Sequence, residues 1–174
     1  MSMRILISAD QVRERVAAMA AEISEFYGKQ EFCVIALGNG AVFFAVDLCR
    51  GLSGTFTFDY VAVSSYEENR SSGNVNFRCT PKSDFTGRHV LLVDDVLDSG
   101  LTMATLTKWF REQGAASVRS AVLTDKDVKR HPEAEGFSTD WSGFKMPNLY
   151  LVGCGMDVDE HERHLPYIAV VENP

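Results

Sequence analysis

The residues best suited to chemistry are acids and hydroxyls that follow a short apolar run at positions 90–93. They are Asp94, Asp95, Asp98, Ser99, Gly100 and Thr102. Hydroxyl groups can donate hydrogen bonds to phosphate oxygens, and glycine lets the backbone approach a ligand closely. Two adjacent carboxylates would repel a phosphate, but they suit a hydrated Mg²⁺ or a ligand that carries hydroxyl groups. The pattern therefore predicts a ligand with a phosphate at one end and a polyol or a metal ion at the other.

A buried strand and a helix must hold these residues in place. The apolar run 90–93 is too short for a helix and does not alternate with polar residues, which is typical of a strand buried on both faces. Residues 103–114 carry apolar side chains at helical spacing and end in a glycine. This order puts the acidic pair at the carboxyl end of the strand and the polar loop at the start of a helix. Backbone N–H groups at a helix start attract anions, so the loop is predicted to bind a phosphate.

Residues 90–102 resemble the phosphoribosyl pyrophosphate (PRPP) motif of the type I phosphoribosyltransferases. The resemblance implies that Asp94 and Asp95 bind the ribose hydroxyls and Mg²⁺. It also implies that a loop holds the ribose 5-phosphate, and the loop residues are Asp98, Ser99, Gly100, Leu101 and Thr102. Asp98 is the candidate general base, because it can face the bound purine while its neighbours hold phosphate and ribose. An acid at a helix start can also serve only to stabilise the helix, and this alternative stays open.

A second strand-to-helix junction lies at residues 38–40, where the sequence is Gly-Asn-Gly. Its backbone N–H groups can bind an anion, although the segment can also be a plain turn. In the six-oxopurine members of the resembled family this junction contacts pyrophosphate, and a basic residue commonly precedes the second glycine. Here that position is Asn39, followed by Gly40, so contacts with pyrophosphate are expected through the backbone.

The resemblance also implies a purine pocket in the second half of the chain. Lys126 follows a predicted strand and would donate to the six-oxo oxygen of the base. Tyr150 would stack on the base, and the backbone of Leu151 would meet its edge. Asp157 would help to bind Mg²⁺ near the base, and Arg163 would face pyrophosphate. Without the resemblance, Tyr150 can be a core residue, and Asp157 and Arg163 can be a surface pair.

The segment 66–76 is polar and contains glycine, which is typical of a mobile loop. It begins with Ser65 and Tyr66, as does the long flexible active-site loop of the resembled family. Such a loop, closed over the reacting centre, would exclude water that hydrolyses an activated sugar. An exposed hairpin tip is the alternative.

The remaining elements predict an α/β fold. Ser8 to Gln11 has the form of a capping box and precedes apolar residues at helical spacing, which predicts the first helix. Apolar runs predict strands near positions 32, 60, 90, 120, 150 and 168, and three helices lie among the earlier ones. This order is typical of a mostly parallel central sheet flanked by helices, and we expect a small antiparallel flap beside it. One phosphoribosyltransferase domain is expected over residues 1–174.

The composition excludes several classes of protein. Of the 174 residues, 45% are hydrophobic and 24% are charged, as in an ordinary globular domain. The longest apolar runs are far short of the ~20 residues of a membrane span, and a signal core is not recognisable, so we expect a protein that is neither membrane-bound nor exported. The net charge of −7 argues against nucleic-acid binding. Four cysteines without paired spacing are typical of reduced thiols in the cytoplasm.

The chain as a whole is similar to the bacterial hypoxanthine or hypoxanthine-guanine phosphoribosyltransferases. The resemblance implies purine salvage: transfer of the 5-phosphoribosyl group from PRPP·Mg²⁺ to hypoxanthine, and to guanine, giving IMP or GMP and pyrophosphate. One pocket lysine does not fix the base, so a xanthine- or pyrimidine-using transferase stays open. A nucleotide-sensing regulator without catalysis also stays open. The expected partners are PRPP and a six-oxopurine, and a homodimer or homotetramer is expected.

Overall fold

The computed structural model describes residues 2–63, 77–82 and 84–172. The elements are β1 (Ser2–Ile7), α1 (Ala9–Tyr27), β2 (Phe32–Leu37), α2 (Gly38–Gly51), β3 (Phe56–Val63), β4 (Phe77–Cys79), β5 (His89–Leu97), α3 (Leu101–Glu112), β6 (Ser117–Lys126), a 3₁₀ turn (Pro132–Ala134), β7 (Trp141–Met146), β8 (Leu151–Val152) and β9 (Ile168–Glu172). The six predicted strands and three predicted helices all occur in this order.

The larger sheet has six strands in the order β4-β3-β2-β5-β6-β7. Its neighbouring strands are parallel, except for the antiparallel pair of β3 and β4. β5 lies between β2 and β6, and its residues 90–93 are fully buried, as their apolar run predicts. Because β2, β5 and β6 run in the same direction, their carboxyl ends meet at one edge of the sheet. That edge carries the candidate site.

The helices pack on this sheet through their apolar faces. α1 begins with the predicted capping box, in which the Gln11 N–H donates to Ser8 Oγ at 3.3 Å and the Ser8 N–H donates to Gln11 Oε1 at 2.9 Å. α1 packs against α2 and β7, and α3 packs against β5 and β6. At the end of α1, the ring of Tyr27 stacks on Phe32 of β2 with 4.0 Å between the ring centroids. Within the described residues, the helices are too short or too polar to span a membrane.

A smaller antiparallel sheet has the order β1-β9-β8. It has a small core of its own, formed by Val152, Val158, Ala169 and Val171. Neighbouring residues such as Leu151, Met156 and Ile168 belong instead to the main hydrophobic core. The fold class is therefore confirmed: a mostly parallel sheet with helices and a small antiparallel sheet. The sequence analysis did not predict β1, whose side chains are largely exposed, or β7.

Two predicted boundaries at the candidate site are wrong. β5 continues to Leu97, so Asp94 and Asp95 lie inside the strand rather than after it. The reason is that β6 keeps pairing alongside, with Asp94 opposite Val122 and Leu97 opposite Asp125. The segment 38–40 is the first turn of α2 rather than a loop before the helix.

The four cysteines are free thiols, as predicted, but they differ in exposure. Cys33 and Cys154 are buried, and Cys49 is half-buried. Cys79 is exposed. Burial raises the pKa of the Cys49 thiol to about 11, so this group is a neutral thiol at physiological pH.

Candidate active site

A cleft of about 170 Å³ opens beside the carboxyl ends of β5 and β6. It is lined by Asp95, Val96, Lys126, Tyr150, Leu151, Met156 and Asp157. Five of these residues were predicted to bind purine or Mg²⁺, and they come from β5, β6, β8 and the segments beside β8. The structure therefore brings together side chains that are up to about sixty positions apart in the chain.

Asp94 and Asp95 form a closely coupled acidic pair in β5. The Asp95 N–H donates to Asp94 Oδ1 at 3.0 Å. Burial raises the pKa of Asp94 well above its ordinary value, and the neighbouring Asp95 raises it further. Burial also raises the pKa of Asp95, although hydrogen bonds and nearby Arg163 offset part of the effect. A cation or a hydroxyl-bearing ligand would stabilise the ionised pair.

The carboxylates suit Mg²⁺ only together with other ligands. Within the ranges 2–63, 77–82 and 84–172, no group of three or more His, Cys, Asp or Glu side chains is placed to hold a metal ion. Mg²⁺ commonly binds one or two protein carboxylates and takes its remaining ligands from water and substrate phosphates. Asp94 and Asp95 fit this arrangement. Asp157 is occupied by Arg163, as described below.

The predicted phosphate loop connects β5 to α3. Gly100 has φ = 76°, in the left-handed region that favours glycine. The Leu101 N–H donates to Ser99 Oγ at 3.4 Å. α3 begins at Leu101 rather than at Met103, so Leu101 and Thr102 lie in its first turn. The loop therefore has the backbone N–H groups of a helix start beside its hydroxyl groups, which suits a phosphate.

Lys126 and Asp98 form an ion pair, with 2.9 Å between Lys126 Nζ and Asp98 Oδ2. The Lys126 side chain is only 13% exposed, whereas the Asp98 side chain is 54% exposed. The lysine predicted to contact the purine and the predicted general base therefore neutralise each other. The alternative in which Asp98 only stabilises the start of α3 does not account for this contact with β6.

Gly40 packs directly against the acidic pair. A Cβ atom at Gly40 would lie 2.1 Å from Asp95 Oδ2, and a Cβ atom at Gly155 would lie 1.8 Å from the Gly40 carbonyl oxygen. Both positions therefore require glycine. The side chain of Asn39 accepts a hydrogen bond from the Tyr60 hydroxyl, at 2.9 Å from Asn39 Oδ1.

Asp157 and Arg163 form an ion pair, as in the alternative that the sequence offered. Arg163 Nη1 lies 2.9 Å from Asp157 Oδ1 and donates to the Gly155 carbonyl oxygen at 2.8 Å. Arg163 Nη2 lies 2.9 Å from Glu160 Oε2. These contacts fix the segment that faces Gly40, and they keep the guanidinium of Arg163 near Asp95.

Tyr150 and Leu151 also line the cleft. Tyr150 is 43% exposed, so the alternative that it is a core residue is wrong. Leu151 is buried in β8. An exposed aromatic ring beside a small cleft is able to stack on a flat ligand. Ser65 and Tyr66, the predicted start of a flexible loop, lie outside the described residues.

Arg130 contacts both strand ends at this edge but was not predicted, because it lies in a polar stretch without a recognisable motif. Its guanidinium donates to the carbonyl oxygens of Leu97, Asp98 and Lys126 and pairs with Asp125. Arg130 therefore joins the end of β5 to the end of β6. An acid five positions before an arginine is only a weak sequence signal for their ion pair. The three hydrogen bonds to carbonyl oxygens leave no signal in the sequence, because every residue has a carbonyl group.

A mostly parallel sheet with an acidic pair and a helix-start loop at one edge is typical of the phosphoribosyltransferase class of α/β proteins. The Phosphoribosyl transferase domain family matches residues 8–159, and the chain belongs to this family.

Relatives within the family are similar over nearly the whole chain. The hypoxanthine-guanine-xanthine phosphoribosyltransferase of Tritrichomonas foetus is 36% identical over 169 residues, which cover 97% of this chain and 91% of that protein. The hypoxanthine-guanine phosphoribosyltransferase of Bacillus subtilis (strain 168) is 33% identical over 172 residues, with coverage of 97% and 93%. A crystal structure of a hypoxanthine-guanine phosphoribosyltransferase from Bacillus anthracis has a TM-score of 0.89 and 32% identity, and it covers 97% of this chain and 98% of that chain.

Proposed function

We propose that this protein salvages purines by transferring the 5-phosphoribosyl group of PRPP to hypoxanthine and to guanine. The observation that carries the proposal is the cleft in which Lys126, Tyr150 and Asp95 lie, next to a loop that leads into the start of α3. These groups suit a flat base, a sugar and a phosphate. The names of the relatives described above support the same chemistry.

The sugar and its phosphates would be held at two helix starts. Residues 98–102 bind the 5-phosphate, and Asp94 and Asp95 bind the ribose hydroxyls. The first turn of α2, with Asn39 and Gly40, contacts pyrophosphate, and Arg163 supplies a positive charge on the same side. Mg²⁺, held by Asp94 and Asp95 and by Asp157 in exchange for its contact with Arg163, would neutralise charge on the departing pyrophosphate.

The base would be recognised by exchange of the Lys126–Asp98 contact. The six-oxo oxygen of hypoxanthine offers Lys126 a new acceptor, while Tyr150 stacks on the ring and the Leu151 backbone contacts its edge. Asp98 is then able to accept a proton from the imidazole part of the purine as the bond to the ribose carbon forms. Both atoms of the pair, Lys126 Nζ and Asp98 Oδ2, lie 2.9 Å apart before the base arrives.

We extend the proposal to the features that the cleft does not address. Residues 1–174 fold as one domain, and the protein is a cytoplasmic homodimer or homotetramer. One cooperative transition in differential scanning calorimetry would support the single domain. Sedimentation at several protein concentrations would test the oligomeric state.

The test of the function is a steady-state assay with PRPP, Mg²⁺ and each of hypoxanthine, guanine, xanthine and adenine. We expect nucleotide and pyrophosphate from hypoxanthine and guanine in equal molar amounts. Xanthine is the second candidate base, because the Tritrichomonas foetus relative is named for all three six-oxopurines. If the protein bound PRPP but turned over none of the bases, the proposed catalytic function would be wrong, and a nucleotide-sensing regulator would be indicated.

A further inference from the structure

Three consecutive carbonyl groups of the phosphate loop accept hydrogen bonds from Arg130 and His131. Arg130 Nη1 donates to the carbonyl oxygens of Leu97, at 3.3 Å, and Asp98. The next backbone N–H, that of His131, donates to the carbonyl oxygen of Ser99 at 2.9 Å. Two adjacent residues thus bind every carbonyl oxygen of the turn that leads into Gly100.

These contacts decide which way the N–H groups of the loop point. No cis peptide bond occurs in the part of the chain that the structure describes. In a planar trans peptide the C=O and the following N–H point in opposite directions. Because Arg130 and His131 hold the carbonyl groups of Asp98 and Ser99, the N–H groups of Ser99 and Gly100 point to the other side of the loop. Adjacent N–H groups on one side form an anion-binding concavity.

Arg130 is itself held firmly. Its guanidinium pairs with Asp125, whose side chain is 5% exposed, and Arg130 Nη1 also donates to the Lys126 carbonyl oxygen at 3.1 Å. A Cβ atom at Gly100 would lie 3.4 Å from both Arg130 Cδ and Ala134 Cβ, so this segment packs closely against the loop. The planar fork of arginine is able to reach a carboxylate and several carbonyl groups together, which the single ammonium of lysine cannot do.

We propose that Arg130 is a positioning residue that keeps the phosphate loop open toward the 5-phosphate of PRPP and of the nucleotide product. It acts through the backbone of residues 97–99 and does not contact the ligand. This inference rests on the proposed function, in which that loop binds the 5-phosphate. The positive charge behind the carbonyl groups also polarises the peptide groups in the direction that favours an anion in front.

The test compares inosine monophosphate with inosine, which lacks the phosphate. Arg130→Lys keeps a positive charge beside buried Asp125, so the variant is expected to fold, but it loses the multiple carbonyl contacts. We expect its affinity for inosine monophosphate to fall about 10- to 150-fold, the effect of losing one hydrogen bond to a charged group. Its affinity for inosine should stay within about twofold. In kinetics, the KM for PRPP should rise far more than kcat falls.

Two control variants separate this role from general stability. Lys145→Met removes a second partner of Asp125 and leaves the carbonyl contacts of Arg130 in place; the Lys145 side chain is 76% exposed. Arg13→Met removes an exposed surface arginine that pairs with Asp10 at 2.9 Å. Both should bind inosine monophosphate as the unmodified protein does. The proposal would be overturned if Arg130→Lys lost affinity for inosine and for inosine monophosphate equally, or kept its affinity for both.

Amide hydrogen exchange tests the loop without any ligand. In Arg130→Lys, the His131 N–H, which donates to the Ser99 carbonyl oxygen in the unmodified protein, should exchange at least about tenfold faster, while exchange in α1 is unchanged. If the unmodified protein fails to turn over six-oxopurines, the proposed function is wrong, and this measurement still decides the role of Arg130. Unchanged exchange at His131 would overturn that role.

Discussion

Replacement of Lys126 by methionine should weaken the preference for six-oxopurines while leaving the fold intact. The Lys126 side chain is 13% exposed, so its aliphatic stem is largely buried, and methionine keeps that apolar volume. What the variant loses is the ammonium group that lies 2.9 Å from Asp98 Oδ2. An ammonium donates hydrogen bonds and cannot accept them, so it suits the six-oxo oxygen of hypoxanthine and opposes the six-amino group of adenine.

The size of the effect follows from the contacts. A hydrogen bond from a charged donor contributes about 1.5–3 kcal/mol, so kcat/KM for hypoxanthine should fall about 10- to 150-fold in Lys126→Met. The unmodified protein should use adenine at least ~10³-fold less well than hypoxanthine, and the variant should leave the adenine value within about threefold. The pair with Asp98 contributes at most about 1 kcal/mol to stability, because Asp98 is 54% exposed. The Tm should therefore fall by no more than about 4 °C.

The assay is steady-state kinetics with both bases at saturating PRPP, together with thermal unfolding. Lys145→Met is the matched control, because Lys145 also pairs with an acid but its side chain is 76% exposed. Its kinetic constants should equal those of the unmodified protein. Comparable use of adenine and hypoxanthine by the unmodified protein would refute the assignment of Lys126 to the purine pocket. An equal loss of both activities in Lys126→Met would refute its role in base selection.

Three further variants test other parts of the site. Asp98→Asn should reduce turnover by ~10²–10⁴ with PRPP binding nearly unchanged, and single-turnover kinetics with calorimetry would show a different result if Asp98 is not the base. Asn39→Lys should lower the inhibition constant of pyrophosphate, because a charge-assisted hydrogen bond of about 1.5–3 kcal/mol outweighs the neutral bond from Tyr60, of about 1 kcal/mol. Asp94→Asn should raise the Tm of the ligand-free protein at neutral pH. The raised pKa of Asp94 means that its stabilisation is present below the unfolded pKa and is lost as pH rises through the folded pKa, so the gain should vanish near pH 3.

The parts of the fold that could be predicted from the sequence are those with local signals. The capping box at Ser8 and Gln11 marks the start of α1 because both hydrogen bonds join residues three positions apart. The apolar run 90–93 marks a central strand because both of its faces are buried. Gly100 adopts φ = 76°, a conformation that glycine reaches without strain. The predicted site residues Asp95 and Lys126 line one cleft because the parallel strands β5 and β6 end at the same edge.

Other features depend on partners that are distant in the chain. β1 has mostly exposed side chains and exists because it pairs with β9, with Ser2 opposite Glu172. Neither strand has a local signal for that pairing. The extension of β5 beyond its apolar run likewise depends on β6, because polar residues such as Asp94 continue a strand only where a neighbour supplies the ladder. Strand pairing therefore overrides local sequence at both places.

The two halves of the candidate site are consequently held by different forces. Asp94 and Asp95 lie within a strand that is still paired with β6, where Asp94 lies opposite Val122, so strand pairing fixes their positions. The phosphate loop begins where that pairing ends, after Leu97 and Asp125, and there side-chain and loop contacts from Arg130 and His131 hold it. A change to Arg130 should therefore disturb phosphate binding and leave the acidic pair in place. Arg130 holds the loop through the carbonyl groups of Leu97 and Asp98. Every residue has a carbonyl group, so no sequence motif reveals these contacts.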